Sequence, residues 1–282
     1  MKILYGIQGT GNGHVSRARS FIPKLKEVAE IDVLISGSAS EMHPGVSVSY
    51  QLHGLGFTFG KTGGIDFIDS FKNFRPYTLI KDIRHLPVTA YDLVISDFEP
   101  ISAWAAKRNQ IPCIGLSHQA SFLSNRVPRP EKKNIFSEAV LKHYAPCTHP
   151  IGFHYREYDH FIYSPIIRKE IRELRNMQAA PNSSKREHIT VYLPAYKDIS
   201  LIKRFLQISS VDWHIFSKKA SSSFSINNVY IKPVNKTAYE QSLATCRGVI
   251  CGAGFEAPSE ALYLGKPLMV IPMKWQYEQQ CN

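Results

Sequence analysis

The sequence predicts an α/β protein made of two doubly wound domains with mostly parallel sheets. Three observations predict it. Short Val/Ile/Leu-rich segments alternate with helical segments through both halves of the chain. The 282 residues suffice for two domains, each with its own core. A polar stretch rich in Asn, Ser and Pro, NMQAAPNSSKRE, separates the two runs. The expected division is a first domain over 1–164, a linker over 165–186 and a second domain over 187–282.

In chain order, ILYGI is the first buried strand. A glycine loop and the helical SRARSFIPKLKEVAE follow it, and IDVLIS is the next strand. Segment 54–77, with its Gly, Phe, Lys and Asp, reads as loops and an irregular helix. YDLVISD is a strand leading into the helix ISAWAAKRNQ, and IPCIGLS is the strand after that. FIYSPIIRKEIRE begins as a strand and turns at Ser-Pro. The second run comprises HITVYLP, DISLIKRFLQIS, VDWHIFSK, NNVYIKPV, AYEQSLATC, RGVICGAG, APSEALYLG and KPLMVIP. Gly265-Lys266-Pro267 supplies the stop signal for its last long helix.

Composition excludes several classes. With 44% hydrophobic and 20% charged residues the chain is expected to be globular. No apolar run approaches the ~18–20 residues that span a bilayer. The N-terminus lacks the length and cleavage site of a signal peptide, so a cytoplasmic location is expected. Cys113, Cys147, Cys246, Cys251 and Cys281 are odd in number and scattered, against a disulfide framework or structural zinc. The net charge of +11 and pI near 9.4 point to an anionic partner. A nucleoside diphosphate or a peripheral membrane contact suits the short basic clusters; nucleic acid does not, because its recognition motifs are missing.

The first loop carries Gly9, Gly11 and Gly13, where glycine permits close backbone approach and the helix start favours anions. His14 occupies the place where a dinucleotide site needs its third glycine, and the second strand ends in Ser36 rather than an acid. The lysine of a P-loop is missing too. Position alone admits two roles for His14: a general base on a hydroxyl, or a capping or solvent-facing histidine. Asp97 ends a buried strand. It either orients that imidazole or caps the helix that begins near Pro100. Asp97 and Glu99 have the spacing of a metal-binding pair, but they project differently and no further ligands accompany them, so no metal is expected.

The segment GVICGAGFEAPSEALYLGKPLMVIPMKWQYEQQCN is more specific. A strand ends in Gly252-Ala253-Gly254, and a helix follows with Pro258 and Glu260 in its first turns. Glycines before a helix N-terminus receive a diphosphate, and a carboxylate one turn in accepts two ribose hydroxyls. The loop after the next strand carries Gln276, Glu278, Gln279 and Gln280, and the amides of the paired glutamines suit sugar hydroxyls.

These residues resemble the GT-B glycosyltransferases, in particular the MurG or glycosyltransferase family 28 branch. GTGNGHVSRA is similar to that branch's glycine-histidine loop, YSPIIR to its Asn-Pro-Val-Arg segment, and CGAGFEAPSEALYLGKP with QYEQQCN to its donor signature. The resemblance implies two Rossmann-like domains facing across a cleft and an inverting, metal-independent transfer. The donor is a nucleotide-sugar, UDP-GlcNAc-like, and the acceptor a lipid-linked or glycan hydroxyl in cell-envelope or polysaccharide synthesis. It implies His14 as base with Asp97 beside it. It places Thr10, Gly11, Gly13 and Arg168 at the donor, with Val234 reading the base through its backbone. Gly252, Gly254, Phe255, Glu256, Ala257, Pro258 and Ser259 line the diphosphate, Glu260 holds the ribose, and Gln279 and Gln280 hold the sugar. No cofactor is implied. Two departures stand out. LPAYKD replaces the branch's Gly-Gly-Ser loop, and the branch continues past the Gln pair with helices that return to the first domain, so this chain is expected to be shortened. Alternative readings are a UDP-sugar 2-epimerase of the same fold and a non-catalytic nucleotide-sugar-binding protein.

Overall fold

The computed structural model describes residues 1–10, 12–37, 45–54, 75–176 and 187–282. They form two compact units, one ending at Ile166 and the other beginning at Ile167. The expectations for Gly11 and for most of segment 54–77 lie outside the described residues.

The first unit is a seven-stranded sheet. Its elements are β1 (Lys2–Gln8), α1 (Asn12–Leu25), β2 (Glu30–Ser36), β3 (Tyr50–Leu52), α2 (Pro76–His85), β4 (Leu93–Asp97), α3 (Pro100–Arg108), β5 (Cys113–Ser117), α4 (Ile135–His143), β6 (His149–Phe153) and β7 (Ile162–Tyr163). The order is β3-β2-β1-β4-β5-β6-β7, and every pair is parallel. Parallel strands are covered on both faces, which explains why they read as apolar runs rather than alternations. On one face Leu4, Leu34 and Val94 pack against Ile101, Ala105 and Ala106 of α3. The order reverses between β1 and β4. In open α/β sheets such a switch leaves a crevice at the strands' C-terminal ends, where ligands bind.

The second unit comprises α5 (Lys169–Asn176), β8 (His188–Tyr192), α6 (Asp198–Phe205), β9 (Asp212–Ser217), β10 (Phe224–Ile226), β11 (Val229–Pro233), α7 (Lys236–Thr245), β12 (Gly248–Gly252), α8 (Glu256–Tyr263), β13 (Leu268–Ile271) and α9 (Tyr277–Cys281). Its strand order is β10-β11-β9-β8-β12-β13. All pairs are parallel except the short β10 hairpin partner of β11. The switch here falls between β8 and β12. Leu201, Ile202 and Phe205 of α6 bury against Val191, Ile215 and Ile231. Such burial contributes about 1.5–3 kcal/mol per large side chain.

Two expectations change. Part of the supposed linker 165–186 is helix: α5 inserts the fully buried Ile171 into a core with Leu243, Val249 and Ala261. Ile171 and Leu174, three apart, form the apolar stripe of that helix, and Ile167, just before it, packs against the same core. The loop expected to carry the last glutamines is α9 from Tyr277 onward, with Gln276 at its N-cap.

Candidate functional site

In the first unit β1 pairs with β4 so that Ile7 stands opposite Asp97. This register brings the end of β4 beside the start of α1. His14 Nδ1 lies 2.6 Å from Asp97 Oδ1 across 83 residues of sequence. Asp97 is fully buried. A contact this short between ring nitrogen and carboxylate is Nδ1–H donating to Oδ1, which leaves Nε2 as the nitrogen able to take a proton. Burial pushes the Asp97 carboxyl up, but the charges of Arg17 and His14 outweigh it and hold the group below the ordinary carboxylate range.

Arg17 had no role in the sequence reading. It lies three residues after His14 on α1, hence on the same helical face. It is buried, and its Nε donates to Asp97 Oδ2 at 2.8 Å while Nη2 donates to Oδ1 at 2.9 Å. The signal for it was the His-x-x-Arg spacing. Tyr5 is buried nearby, its phenol raised well above its ordinary value first by burial and then by Asp97.

Glu99, two residues on, takes the other role once open to Asp97. It is the N-cap of α3, accepting from Ile101 N at 2.8 Å and Ser102 N at 2.6 Å. Ser36 at the end of β2 donates to it at 2.6 Å. Full burial raises this carboxyl against those donors. Phe98, between the two acids, adopts φ +54°, which turns the chain from strand to helix within two residues. Its ring packs on Tyr144 at a centroid distance of 4.8 Å. Thr10 accepts from Gln8 Nε2 at 2.9 Å, and Gly13 lies in the first turn of α1.

In the second unit the residues after β12 stand at the β8/β12 switch. α8 starts at Glu256 with Phe255 at its N-cap, whose side chain makes no cap hydrogen bond. Ala257, Pro258 and Ser259 complete its first turn, and Ser259 bonds back to the Phe255 carbonyl at 2.6 Å. A Cβ added at Gly254 would meet nothing within 4 Å, so open space lies before the helix start. Asn282 Nδ2 donates to the Ala253 carbonyl at 3.0 Å, and Gln279 Oε1 accepts from Met273 N at 2.8 Å. These bonds tie the last helix to the glycine loop and to the turn after β13. Gln280 is exposed.

Glu260 and Arg168 meet in a fork: Arg168 Nε and Nη2 donate to the two Glu260 oxygens at 2.6 and 3.0 Å. Arg168 Nη1 donates to Glu240 at 2.7 Å. Burial raises the Glu260 carboxyl, and Arg168 opposes the rise. For Arg168, burial lowers the guanidinium while Glu260 and Glu240 raise it, with a net upward shift. A carboxylate accepts about four hydrogen bonds, so the fork leaves Glu260 acceptor capacity. Val234 follows β11, half exposed, with its N–H bonded to the Ser217 carbonyl at 3.1 Å. LPAYKD forms a turn after β8, closed by Tyr196 N to Leu193 O at 3.0 Å.

Among the described residues no three His, Cys, Asp or Glu side chains group as metal ligands, and no helix is long and apolar enough to cross a membrane.

Two doubly wound sheets, each with polar residues gathered at its switch point, define a protein of the GT-B fold class. The chain belongs to glycosyl transferase family 1, whose model matches residues 1–282. Solved structures share the fold at low identity. MurG of Acinetobacter baumannii superposes with a TM-score of 0.58 at 13% identity, over 99% of this chain and 80% of that one. Arabidopsis thaliana UGT89C1, complexed with UDP, gives 0.58 at 14%, over 99% and 81%. SsfS6 from Streptomyces sp. SF2575, complexed with thymidine diphosphate, gives 0.56 at 12%, over 98% and 83%. No curated protein matches the sequence.

Proposed function

We propose that this glycosyltransferase moves a sugar from a UDP-sugar, UDP-GlcNAc-like, to a hydroxyl acceptor with inversion and without a metal. The acceptor is a lipid-linked or glycan hydroxyl of cell-envelope or polysaccharide synthesis, met in the cytoplasm or at a membrane face. The observation that carries the reading is the 2.6 Å contact between His14 and a fully buried Asp97. A buried carboxylate that receives Nδ1–H fixes the imidazole with Nε2 as its accepting nitrogen. His14 Nε2 takes the acceptor proton as the acceptor oxygen bonds to the anomeric carbon. The bond from that carbon to the diphosphate breaks, and its electron pair leaves with the nucleoside diphosphate.

On the second unit, the open space at Gly254 before the start of α8 supports a diphosphate position, where helix N–H groups offset the leaving charge. Glu260, held by Arg168, accepts the ribose hydroxyls. Gln279 and Gln280 face the sugar, and Val234 the base.

The test is UDP titration by calorimetry without metal, beside turnover of UDP-sugars with and without acceptor. Binding in the micromolar to millimolar range, about 4–8 kcal/mol, is expected, weakened in Glu260→Ala. Transfer is expected to be lost in His14→Ala with UDP binding retained. Absence of UDP binding by folded protein overturns the donor. Epimerised sugar without acceptor replaces transfer by epimerisation.

A further inference from the structure

We propose that Arg17 is a positioning residue for the transfer: it fixes the Asp97 carboxylate and, through it, the tautomer of His14. The inference rests on the reading of His14 as the base. Arg17 grips both Asp97 oxygens, Nε on Oδ2 at 2.8 Å and Nη2 on Oδ1 at 2.9 Å. This side-on fork sets the plane of the carboxylate as one point contact cannot. The terminal torsion of an aspartate is otherwise broad and roughly two-fold. With the plane set, Oδ1 faces His14.

The distances within the triangle identify the tautomer. Arg17 Nη2 lies 3.1 Å from His14 Nδ1, and both lie within 2.9 Å of the same Oδ1. A guanidinium only donates. If Nδ1 were bare, it would accept from Nη2 and have no hydrogen to offer Oδ1 at 2.6 Å. Two donors converging on one oxygen account for all three distances, so Nδ1 carries the hydrogen and Nε2 is left to accept one. Asp97 alone does not secure this state: a rotated carboxylate would release Nδ1–H and let the imidazole exchange tautomers. Arg17 is itself held, being buried with its guanidinium carbon 5.9 Å from the Phe153 ring centroid.

The experiment compares Arg17→Met, Arg17→Lys and the double variant Arg17→Met with Asp97→Asn. The double variant leaves no bare carboxylate in the interior. Nitrogen-15 shifts of the His14 imidazole report the tautomer, steady-state kinetics report kcat and donor KM, and thermal melting reports folding. The wild type is expected to show the Nδ1–H form alone. Arg17→Met is expected to show mixed tautomers and a kcat lower by about 10–100-fold, the scale on which removing a group that orients a metal-bound histidine acts, with donor KM unchanged. Arg17→Lys restores charge and melting temperature but neither the single tautomer nor kcat, because an ammonium cannot form the fork. The double variant is expected to fold and to show mixed tautomers.

A folded Arg17→Met that keeps the single tautomer and wild-type kcat overturns the proposal. Should Arg17→Met not fold, a wild-type tautomer and kcat in Arg17→Lys overturn it equally. A wild type that transfers no sugar overturns the base reading instead, and the imidazole shifts alone then decide whether Arg17 sets the tautomer.

Discussion

Replacing Arg168 with methionine leaves two carboxylates behind. Glu260 and Glu240 are only 8% and 13% exposed, and Arg168 itself 22%, so solvent screens this group weakly. Three short hydrogen bonds vanish, two to Glu260 and one to Glu240. Breaking a buried pair by removing one partner costs about 3–5 kcal/mol, mostly for the uncompensated charge left behind. At roughly 4 °C per kcal/mol for a unit of this size, the transition of the second unit drops by about 12–20 °C. Glu240→Gln keeps the fork on Glu260 and costs about 1 kcal/mol or less. Arg168→Met with Glu260→Gln costs less than the sum of the single changes, with a coupling of about 2–3 kcal/mol. Differential scanning calorimetry at pH 7 of the wild type, Arg168→Met, Glu260→Gln, their double variant and Glu240→Gln measures these values. A loss below about 1 kcal/mol in Arg168→Met, or strict additivity in the cycle, refutes the view that Arg168 neutralises an otherwise costly acidic pair.

Gly254→Ala is expected to leave the melting temperature within the small range of surface changes, about 0.5 kcal/mol, because its Cβ meets no protein atom. It is expected to weaken UDP binding in the same calorimetry that tests Glu260. Gly6→Ala goes the other way: its Cβ would stand 2.2 Å from Ser102 Oγ, so α3 must move off β1, at about 1–3 kcal/mol in chemical denaturation. Stability is expected to fall in acid through two histidines. His154, with pKa lowered to about 4, and His214, lowered to about 3, are depressed first by burial. His118 and Arg129 then act on His154, and His188 and Lys232 on His214. A base favoured neutral in the fold contributes fully above its unfolded value of about 6.5 and loses that contribution as pH falls toward 4 and 3, by up to about 1.4 kcal/mol per pH unit for each histidine. Melting temperatures from pH 7 to 4 measure the slope, and His154→Phe flattens it for the first unit.

The strands were legible because parallel strands covered on both faces are apolar along their length, as ILYGI and RGVIC are. β6, whose sequence is HPIGF, carries a proline and a histidine at its start and was passed over. α4 opens with the exposed pair Ile135 and Phe136, which breaks the stripe that marks a packed helix. α5 was hidden by the polar stretch beside it, although its two apolar residues, Ile171 and Leu174, are spaced for a helix face. At the site, His14 and Asp97 were legible because each follows a readable strand. Their separation depends on which strands pair, and no local pattern encodes that. Arg17 and Glu99 were missed for a different reason. A charged residue on a helix or at its start is ordinarily solvated, and only the finished sheet shows that Arg17 of α1 and Glu99 at the N-cap of α3 point inward.

The β1–β4 register has a consequence for how the protein acquires activity. His14 and Asp97 are separated by 83 residues, and the segment between them includes β2, β3 and α2. Contacts of such long sequence separation form late, after the cost of closing the chain has been met. During refolding, helical signal is therefore expected to return before turnover does. A chain emerging from the ribosome holds α1 well before the strand that brings Asp97 to His14, so on the proposed reading early folding intermediates carry out no transfer. If His14 is the base as proposed, transfer requires assembly of the first sheet from β1 to β4 rather than of any local element within it, as well as the second unit.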